Sequence, residues 1–308
     1  MEESVVKVVH LSHRYSIQWA IKDINFEIKE KGILGLLGSN GAGKSTTMNI
    51  ICGVLNQTEG EVYINGINLN ENPVEAKKHI GFLPQKPPLH PDLTVEEYLR
   101  HCAILRLVEK EKVKQAVDEA MERCRITQVC NRLIRNLSGG YQQRVGIAQA
   151  IVHHPRFVVL DEPTNGLDPN QIVEIRNLIK EIAKDRSVLL STHILPEVQA
   201  TCDEIKMIEH GQVVFSGSIG SFNNYMEPST FIMTLENPPD LSILNQIPGV
   251  THVESLTRTR FRVHFKDSPD ITKKITALSV SNNWRLSEIV LERESLDTIF
   301  AQLSGKYL

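Results

Sequence analysis

The 308-residue sequence has no apolar run long enough to cross a lipid bilayer. A transmembrane helix needs roughly 20 consecutive apolar residues, whereas the longest apolar runs here are short, such as Ile33–Leu37 and Phe157–Leu160. The first residues, Met1–Ser4, are acidic and lack the basic and apolar regions of a secretory signal peptide. If the protein works at a membrane, we therefore expect another chain to do the spanning.

Closely spaced cysteines and excess basic charge are also missing. The five cysteines, Cys52, Cys102, Cys124, Cys130 and Cys202, form no pair with the spacing of a zinc or redox motif. We expect them to be reduced. The net charge of −3 gives no basic character of the kind that nucleic-acid-binding proteins usually show, so no nucleic-acid partner is expected.

The composition that is present, 41% hydrophobic and 23% charged residues, is close to that of an average globular chain. At roughly 100–200 residues per domain, the length predicts two domains. We predict an α/β domain over residues 1–220, with a helical insert at about 86–136. A small α+β domain is predicted over residues 229–308, after a boundary near Gly220–Ser229.

Sequence periodicity supports this division. Alternation and β-branched residues predict strands at Val5–Val9 and Ile24–Ile28. The continuous apolar runs at Ile33–Leu37 and Phe157–Leu160 suit strands that are buried on both faces of a parallel sheet. Helical periodicity marks four further segments, of which the first two lie in the insert: Val95–Val108, Glu111–Cys124, Tyr141–Val152 and Gln171–Ala183.

The C-terminal part has a pattern of its own. Its predicted order is β-α-β-β-α-β, which is that of a ferredoxin-like unit. The predicted elements are, in chain order, Phe231–Leu235, Leu241–Gln246, His252–Leu256, Phe261–Phe265, Ile271–Val280 and Arg285–Leu291. A final helix is expected at about Leu296–Leu303.

A phosphate-binding motif follows the first buried run. The segment Gly38–Ser45, GSNGAGKS, matches the pattern G-x-x-x-x-G-K-[ST] between a predicted strand and a predicted helix. Its glycines let backbone N–H groups converge on phosphate oxygens, and the helix N-terminus adds partial positive charge. Lys44 can reach the outer phosphates, and the Ser45 hydroxyl can ligate Mg²⁺, which prefers oxygen.

Two adjacent acids end the second buried run. Asp161 is placed to hold a magnesium ion with its water shell, and Glu162 to polarise an attacking water molecule as a general base. Together with the phosphate-binding motif, these acids predict a phosphate-loop nucleotidase.

A third motif distinguishes among the families of phosphate-loop nucleotidases. The segment Leu137–Arg144, LSGGYQQR, resembles the ABC signature, and Asp161–Thr164 continues the same family's pattern. The resemblance to ABC ATPases covers roughly Val5–Gly217. It implies a P-loop NTPase core that binds ATP and Mg²⁺. From the residues alone, Ser138 is a suitable N-cap for the following helix, and the two glycines after it expose the backbone.

The resemblance also assigns nucleotide contacts. It places Ser138 and Gly140 against the γ-phosphate held by an opposite subunit, so the site is expected to need a head-to-tail pair. Tyr15 stands where an aromatic stacks on adenine, and Trp19 is its rival. The phosphate contacts implied by the resemblance are Ser39, Asn40, Gly41, Ala42, Gly43, Lys44, Ser45 and Thr46.

Catalytic and metal-binding roles follow in the same way. Gln85 resembles the glutamine that contacts Mg²⁺ or the attacking water and joins the helical insert to the core. His193 resembles the histidine that senses the γ-phosphate, and Asp168 an acid at the dimer seam. The resemblance thus implies a catalytic set of Glu162, His193, Gln85 and Lys44. It implies a metal-binding set of Ser45, Gln85 and Asp161.

Two classes of function remain after these assignments. A single motif set with a compact insert favours a transporter ATPase that drives a separate transmembrane permease. Soluble ABC ATPases of DNA repair or translation are the alternative. Within transport, the segments Gly35–Gly38, Thr192–Val198 and Leu296–Leu303 resemble export subunits of the multidrug, antibiotic-resistance and gliding-motility group, with importers as runner-up. A homodimer or heterodimer at the cytoplasmic face of the membrane is expected, and the sequence does not specify the cargo.

Overall fold

The computed structural model describes residues 4–29, 31–224, 230–266 and 270–292. These residues form two compact units that divide between Ile219 and Gly220. No helix in the described ranges is both long and apolar enough to traverse a lipid bilayer. The helix predicted at Leu296–Leu303 lies outside the described residues.

Two sheets form the first unit, among the residues described. Its strands in chain order are β1 (Ser4–Tyr15), β2 (Gln18–Lys29), β3 (Gly32–Leu37), β4 (Glu59–Ile64), β5 (Ile67–Asn68), β6 (Ile80–Leu83), β7 (Phe157–Asp161), β8 (Ser187–Thr192), β9 (Glu204–Glu209) and β10 (Gln212–Ser218). One sheet has the order β2-β1-β4-β5, and the other has the order β10-β9-β3-β8-β7-β6. The unit therefore has the α/β architecture that the sequence predicts.

The six-stranded sheet determines where the site lies. Its strands β6, β7, β8, β3 and β9 run parallel, and only β10 pairs antiparallel with its neighbour. Strands β7 and β8 are buried along their whole length, as expected for a sheet with both faces covered. The loops that follow these parallel strands consequently leave from one edge of the sheet.

Helices surround these sheets. In the first unit they are α1 (Lys44–Ile51), α2 (Pro73–Lys78), α3 (Val95–Leu105), α4 (Val113–Arg123), α5 (Gly139–Ile151), α6 (Pro169–Ala183) and α7 (Leu195–Thr201), and α8 (Ile219–Asn224) begins at the division between the units. Helices α3 and α4 pack on each other and on α5. Thr94 and Glu97 form a capping box that fixes the start of α3. The predicted helical insert is thus built from α3 and α4.

The described residues of the second unit form one antiparallel sheet. Its elements are β11 (Thr230–Leu235), α9 (Leu241–Asn245), β12 (Val250–Ser255), β13 (Arg260–Phe265), α10 (Ile271–Ser281) and β14 (Leu286–Glu292). The strand order is β12-β13-β11-β14, so the first and third strands are central neighbours, which is a feature of a split β-α-β arrangement. Its core includes Phe231, Met233, Val263, Ile275 and Trp284.

Candidate active site

The loop between β3 and α1 is held closely by neighbouring backbone. Gly43 has a φ of +109°, and a Cβ there would lie 2.5 Å from Cγ2 of Ile21 and 2.9 Å from the Ala20 carbonyl oxygen. A Cβ on Gly38 would lie 2.3 Å from the Ile208 carbonyl oxygen. Both positions consequently require glycine, and the loop backbone is fixed where a phosphate group would approach it.

Lys44 lies inside this loop. Its side chain is 6% exposed, and Nζ donates to the carbonyl oxygens of Gly38 and Ser39 at 2.8 and 2.9 Å. Burial lowers the pKa of Lys44, which the carboxylates of Glu162 and Asp161 oppose. The site therefore concentrates one buried cation and two acids at the end of the sheet.

Glu209 is a member of this site that the sequence interpretation did not include. It ends β9, which lies next to β3 in the sheet. The Ser39 hydroxyl donates to the Glu209 carboxylate at 2.9 Å. Gly211, two residues later, donates its N–H to the Ala42 carbonyl oxygen at 3.0 Å. The available signal was an acid directly after the short segment Ile205–Ile208 and before the turn at His210 and Gly211.

The other predicted phosphate contacts lie in the loop before α1 and in its first turn. Asn40 and Ser45 are exposed, Thr46 is half-buried and Ala42 is buried. Gly41 has a φ of +84°, and a Cβ added there would have no neighbour within 4 Å. The structure thus brings together all eight predicted phosphate contacts in one strand–loop–helix junction.

The acidic end of β7 lies beside this junction. Asp161 is 6% exposed, and burial raises the pKa of its carboxyl group. The nearby hydroxyl groups of Ser191 and Ser45 oppose this increase, as does Lys44, whereas Glu162 adds to it. A buried carboxylate next to a serine hydroxyl provides the hard oxygen donors that Mg²⁺ prefers.

Glu162 is the centre of a second cluster. Its carboxylate accepts a hydrogen bond from Nε2 of Gln85 at 2.7 Å and lies 3.0 Å from Nδ1 of His193. The Asn165 amide also contacts it, at 3.4 Å. Glu162 has a φ of +47°, and its N–H donates to the Ser191 carbonyl oxygen. Three predicted catalytic residues therefore meet although they follow three different strands.

Tyr15 and Trp19 lie on opposite faces of the β1–β2 hairpin. Arg14 pairs with Trp19 across the strands, and Tyr15 pairs with Gln18. The Tyr15 ring contacts the His13 ring edge-on, with centroids 4.7 Å apart, whereas the Arg14 guanidinium lies over Trp19. Because paired residues point to the same face and adjacent residues to opposite faces, Tyr15 and Trp19 lie on opposite faces at this end of the hairpin.

The signature segment begins α5. Ser138 occupies the N-cap position with extended backbone, as predicted, but its hydroxyl makes no capping hydrogen bond. Ser138 and Gly139 are exposed, while Gly140 is buried and a Cβ there would lie 2.7 Å from the Gln171 side chain. Among the described residues, no hydrogen bond joins Ser138 to the phosphate loop.

Asp168, which the resemblance places at a dimer seam, also caps a helix within its own chain. Its carboxylate caps α6 by accepting from the backbone N–H groups of Asn170 and Gln171, each at 3.0 Å. Pro169 follows as the first residue of the helix, which is favourable because proline has no N–H to satisfy there. The expected contact across a dimer seam stays a prediction.

Comparison with known proteins agrees with this geometry. The family model described as ABC transporter matches residues 21–165, and one described as AAA domain, putative AbiEii toxin, Type IV TA system, matches residues 133–198. The uncharacterized ABC transporter ATP-binding protein YhcH of Bacillus subtilis (strain 168) is 30% identical over 307 residues, covering 99% of this chain and 97% of YhcH. The chain belongs to the ABC transporter ATP-binding proteins.

Two further similarities extend this family assignment. The bacitracin transport ATP-binding protein BcrA of Bacillus licheniformis is 36% identical over 213 residues, or 68% of this chain and 69% of BcrA. A solved dimeric structure of the ATP-binding cassette MJ0796, in a post-hydrolysis state bound to ADP and Pi, has a TM-score of 0.63 and 29% identity. It covers 70% of this chain and 98% of that one.

This ABC protein is an ATPase and the ATP-binding subunit of a transporter. The findings favour transport over DNA repair or translation.

Proposed function

We propose that this ABC subunit hydrolyses ATP with Mg²⁺ at the junction of β3, β7 and β8, and that hydrolysis powers export through a separate transmembrane permease. One observation supports the proposal most strongly. Glu162 is contacted at once by Gln85 and His193, at 2.7 and 3.0 Å, beside the buried Lys44 of the phosphate loop.

Mg²⁺ would be held by Ser45, Asp161 and Gln85. The first two supply a hydroxyl and a buried carboxylate that already lie near each other. Gln85 donates through its amide nitrogen to Glu162, which leaves its amide oxygen as the atom suited to a metal ion. When bound, Mg²⁺ would neutralise charge that develops on the phosphate oxygens.

Glu162 would act as the general base. Its carboxylate can take a proton from a water molecule that attacks the γ-phosphate. Gln85 and His193 restrict the orientation of this carboxylate by contacting different oxygen atoms, Oε2 and Oε1. Lys44 would bind the outer phosphates, and Tyr15 would stack on the adenine ring.

We propose that a complete site needs two chains arranged head to tail. Ser138 is exposed and makes no hydrogen bond to the phosphate loop among the described residues, so it is open to a nucleotide held by another copy. Gly140 would bring the backbone of α5 close to the same phosphate. The dimeric state of MJ0796 supports this arrangement.

The proposed partner is a transmembrane permease, and the proposed location is the cytoplasmic face of the cell membrane. The name of BcrA, a transport ATP-binding protein, supports a role in transport. Export is proposed on the resemblance of Gly35–Gly38 and Thr192–Val198 to export subunits. No nucleic-acid partner is proposed.

The test is steady-state ATP hydrolysis by the full chain, with and without Mg²⁺, over a range of protein concentrations. We expect a rate per subunit that rises with concentration and requires Mg²⁺. Glu162→Gln should reduce kcat by about 100-fold or more while ATP still binds. Glu75→Gln, a change at an exposed acid that pairs with Lys78 on α2, is the control. A Glu162→Gln variant as fast as the parent would refute the proposed mechanism.

A further inference from the structure

Helix α7 carries a buried carboxylate that contacts the segments of Glu162 and His193. Glu197 is on α7, directly after the segment that contains His193, and it is 2% exposed. Acidic side chains are almost never this buried unless they are paired, because removing a charge from water is costly. The partners of Glu197 therefore indicate what the residue does.

Three side chains surround this carboxylate. Its Oε2 atom accepts hydrogen bonds from the hydroxyls of Thr164, at 2.8 Å, and Thr192, at 3.0 Å. Nη2 of Arg176 on α6 lies 3.5 Å from Oε1. The arginine offsets the negative charge, and the two threonines are joined through a single oxygen atom.

Those two threonines belong to the segments that carry the catalytic pair. Thr164 follows Glu162 by two residues, and Thr192 directly precedes His193. Glu162 and His193 contact each other at 3.0 Å. The contacts thus close a ring: from Glu162 along the chain to Thr164, through Glu197 to Thr192, and by His193 back to Glu162.

We propose that Glu197 is a positioning residue for ATP hydrolysis, which holds His193 and Glu162 at their working separation through Thr192 and Thr164. This inference rests on the proposed function. Because a displacement of about 1 Å can reduce a rate up to about 100-fold, loosening the ring should lower kcat. It should leave ATP affinity nearly unchanged, because the phosphate loop and Tyr15 lie outside the ring.

The chain offers variants that separate positioning from stability. Thr164→Val and Thr192→Val each remove one hydrogen bond to Glu197 but keep its ion pair with Arg176 and the shape of the side chain. Thr192→Val also removes the hydrogen bond that this hydroxyl accepts from the Ile194 N–H at 3.0 Å, so Thr164→Val is the cleaner variant. Thr201→Val is a matched control, because Thr201 lies on the same helix and its buried hydroxyl has no partner among the described residues.

The experiment measures kcat, KM and the Kd for ATP of the full chain, with thermal unfolding as a check on folding. Glu197→Gln keeps the shape of the side chain but removes its charge. We expect it to lower kcat by about tenfold and to change KM and Kd by less than about twofold. Thr164→Val and Thr192→Val should lower kcat by smaller factors, and Thr201→Val should behave as the parent.

A double-mutant cycle provides the decisive comparison. If Glu197 acts through the threonines, adding Thr192→Val to Glu197→Gln causes little further loss of kcat. Independent losses that multiply, or an unchanged kcat with only a lower melting temperature, would overturn the inference. A parent chain that fails to hydrolyse ATP would instead refute the proposed function, so the two failures are distinguishable.

Discussion

The choice of base-stacking residue depends on a single strand register. Tyr15 and Trp19 are both exposed, at 54% and 38%, so exposure alone does not distinguish them. The pairing of Arg14 with Trp19 and of Tyr15 with Gln18 puts the two aromatic rings on opposite faces. The Arg14 guanidinium already lies over the Trp19 ring, 5.7 Å from its centroid, so we propose Tyr15 as the base-stacking residue.

Replacing Tyr15 should therefore weaken binding of the base and not of the phosphates. We expect Tyr15→Ala to raise the Kd for ATP roughly fivefold, which corresponds to about 1 kcal/mol of lost stacking. Equilibrium titration would measure this change. Trp19→Ala is the matched control and should change the Kd by less than about twofold. Inorganic tripolyphosphate, which has no base, should bind Tyr15→Ala as well as the parent; a larger loss in Trp19→Ala would reverse the assignment.

For single residues, the sequence predicted a place in the site where the residue belongs to a contiguous motif. Ser39–Thr46, Asp161 and Glu162 could be placed because each motif fixes a strand end or a loop. Glu209 and Glu197 could not be found in this way. Each is a single acid with a distant partner: Ser39 lies 170 residues before Glu209, and Thr164 lies 33 residues before Glu197, so only the folded structure shows these contacts.

Parallel pairing explains how separated sequence elements form one site. Strands β6, β7, β8 and β3 end at the same edge of the sheet, and Gln85, Glu162, His193 and Lys44 follow them. The buried runs in β3 and β7 were predictable because continuous apolar sequence is typical of such strands. The strand β6 was not predicted, because only four residues form it and its sequence has no alternation.

The long first hairpin shows the limit of the sequence pattern. The structure has β1 at Ser4–Tyr15 and β2 at Gln18–Lys29, whereas the prediction gave only Val5–Val9 and Ile24–Ile28. The register shifts at several points between the two strands. Each shift interrupts the two-residue alternation of buried and exposed side chains, so the pattern fades although the pairing continues.

The burial of a histidine next to β6 should make stability depend on pH. His153, just after α5, places Nε2 3.0 Å from the Ile80 carbonyl oxygen. Burial, together with the nearby Arg106 and Arg186, lowers the pKa of His153 to about 4. The unfolded chain takes up a proton near the ordinary value of about 6.5. The unfolded state therefore binds more protons between these values, and stability decreases as pH falls.

Denaturant unfolding at pH 7 and pH 5 would test this dependence. We expect the free energy of unfolding of the parent to fall between the two values more than that of His153→Gln, which keeps a hydrogen-bond donor but cannot take up the proton. His210→Gln, at a largely exposed histidine, should follow the parent. Equal pH dependence of the parent and His153→Gln would show that His153 contributes nothing to it.

At the scale of the whole molecule, the residues of one chain form only part of the proposed ATP-hydrolysing site. The phosphate loop, the acids and His193 lie together in the first unit, whereas Ser138 at the start of α5 is exposed. A second copy in head-to-tail orientation would bring its Ser138 to the nucleotide, and two-fold symmetry would give two equivalent sites. ATP would then be bound between chains, and its hydrolysis would separate them.

The measurement that tests this central claim most directly is hydrolysis by a mixture of two inactive variants. Lys44→Ala disables the phosphate loop of one chain, and Ser138→Arg disables the signature of the other. If each site uses Lys44 of one chain and Ser138 of its partner, a mixed pair keeps one intact site. We predict that an equal mixture recovers up to about a quarter of the parental rate, while each variant alone stays inactive. A mixture as inactive as the separate variants, with both folded, would contradict a site shared between two chains.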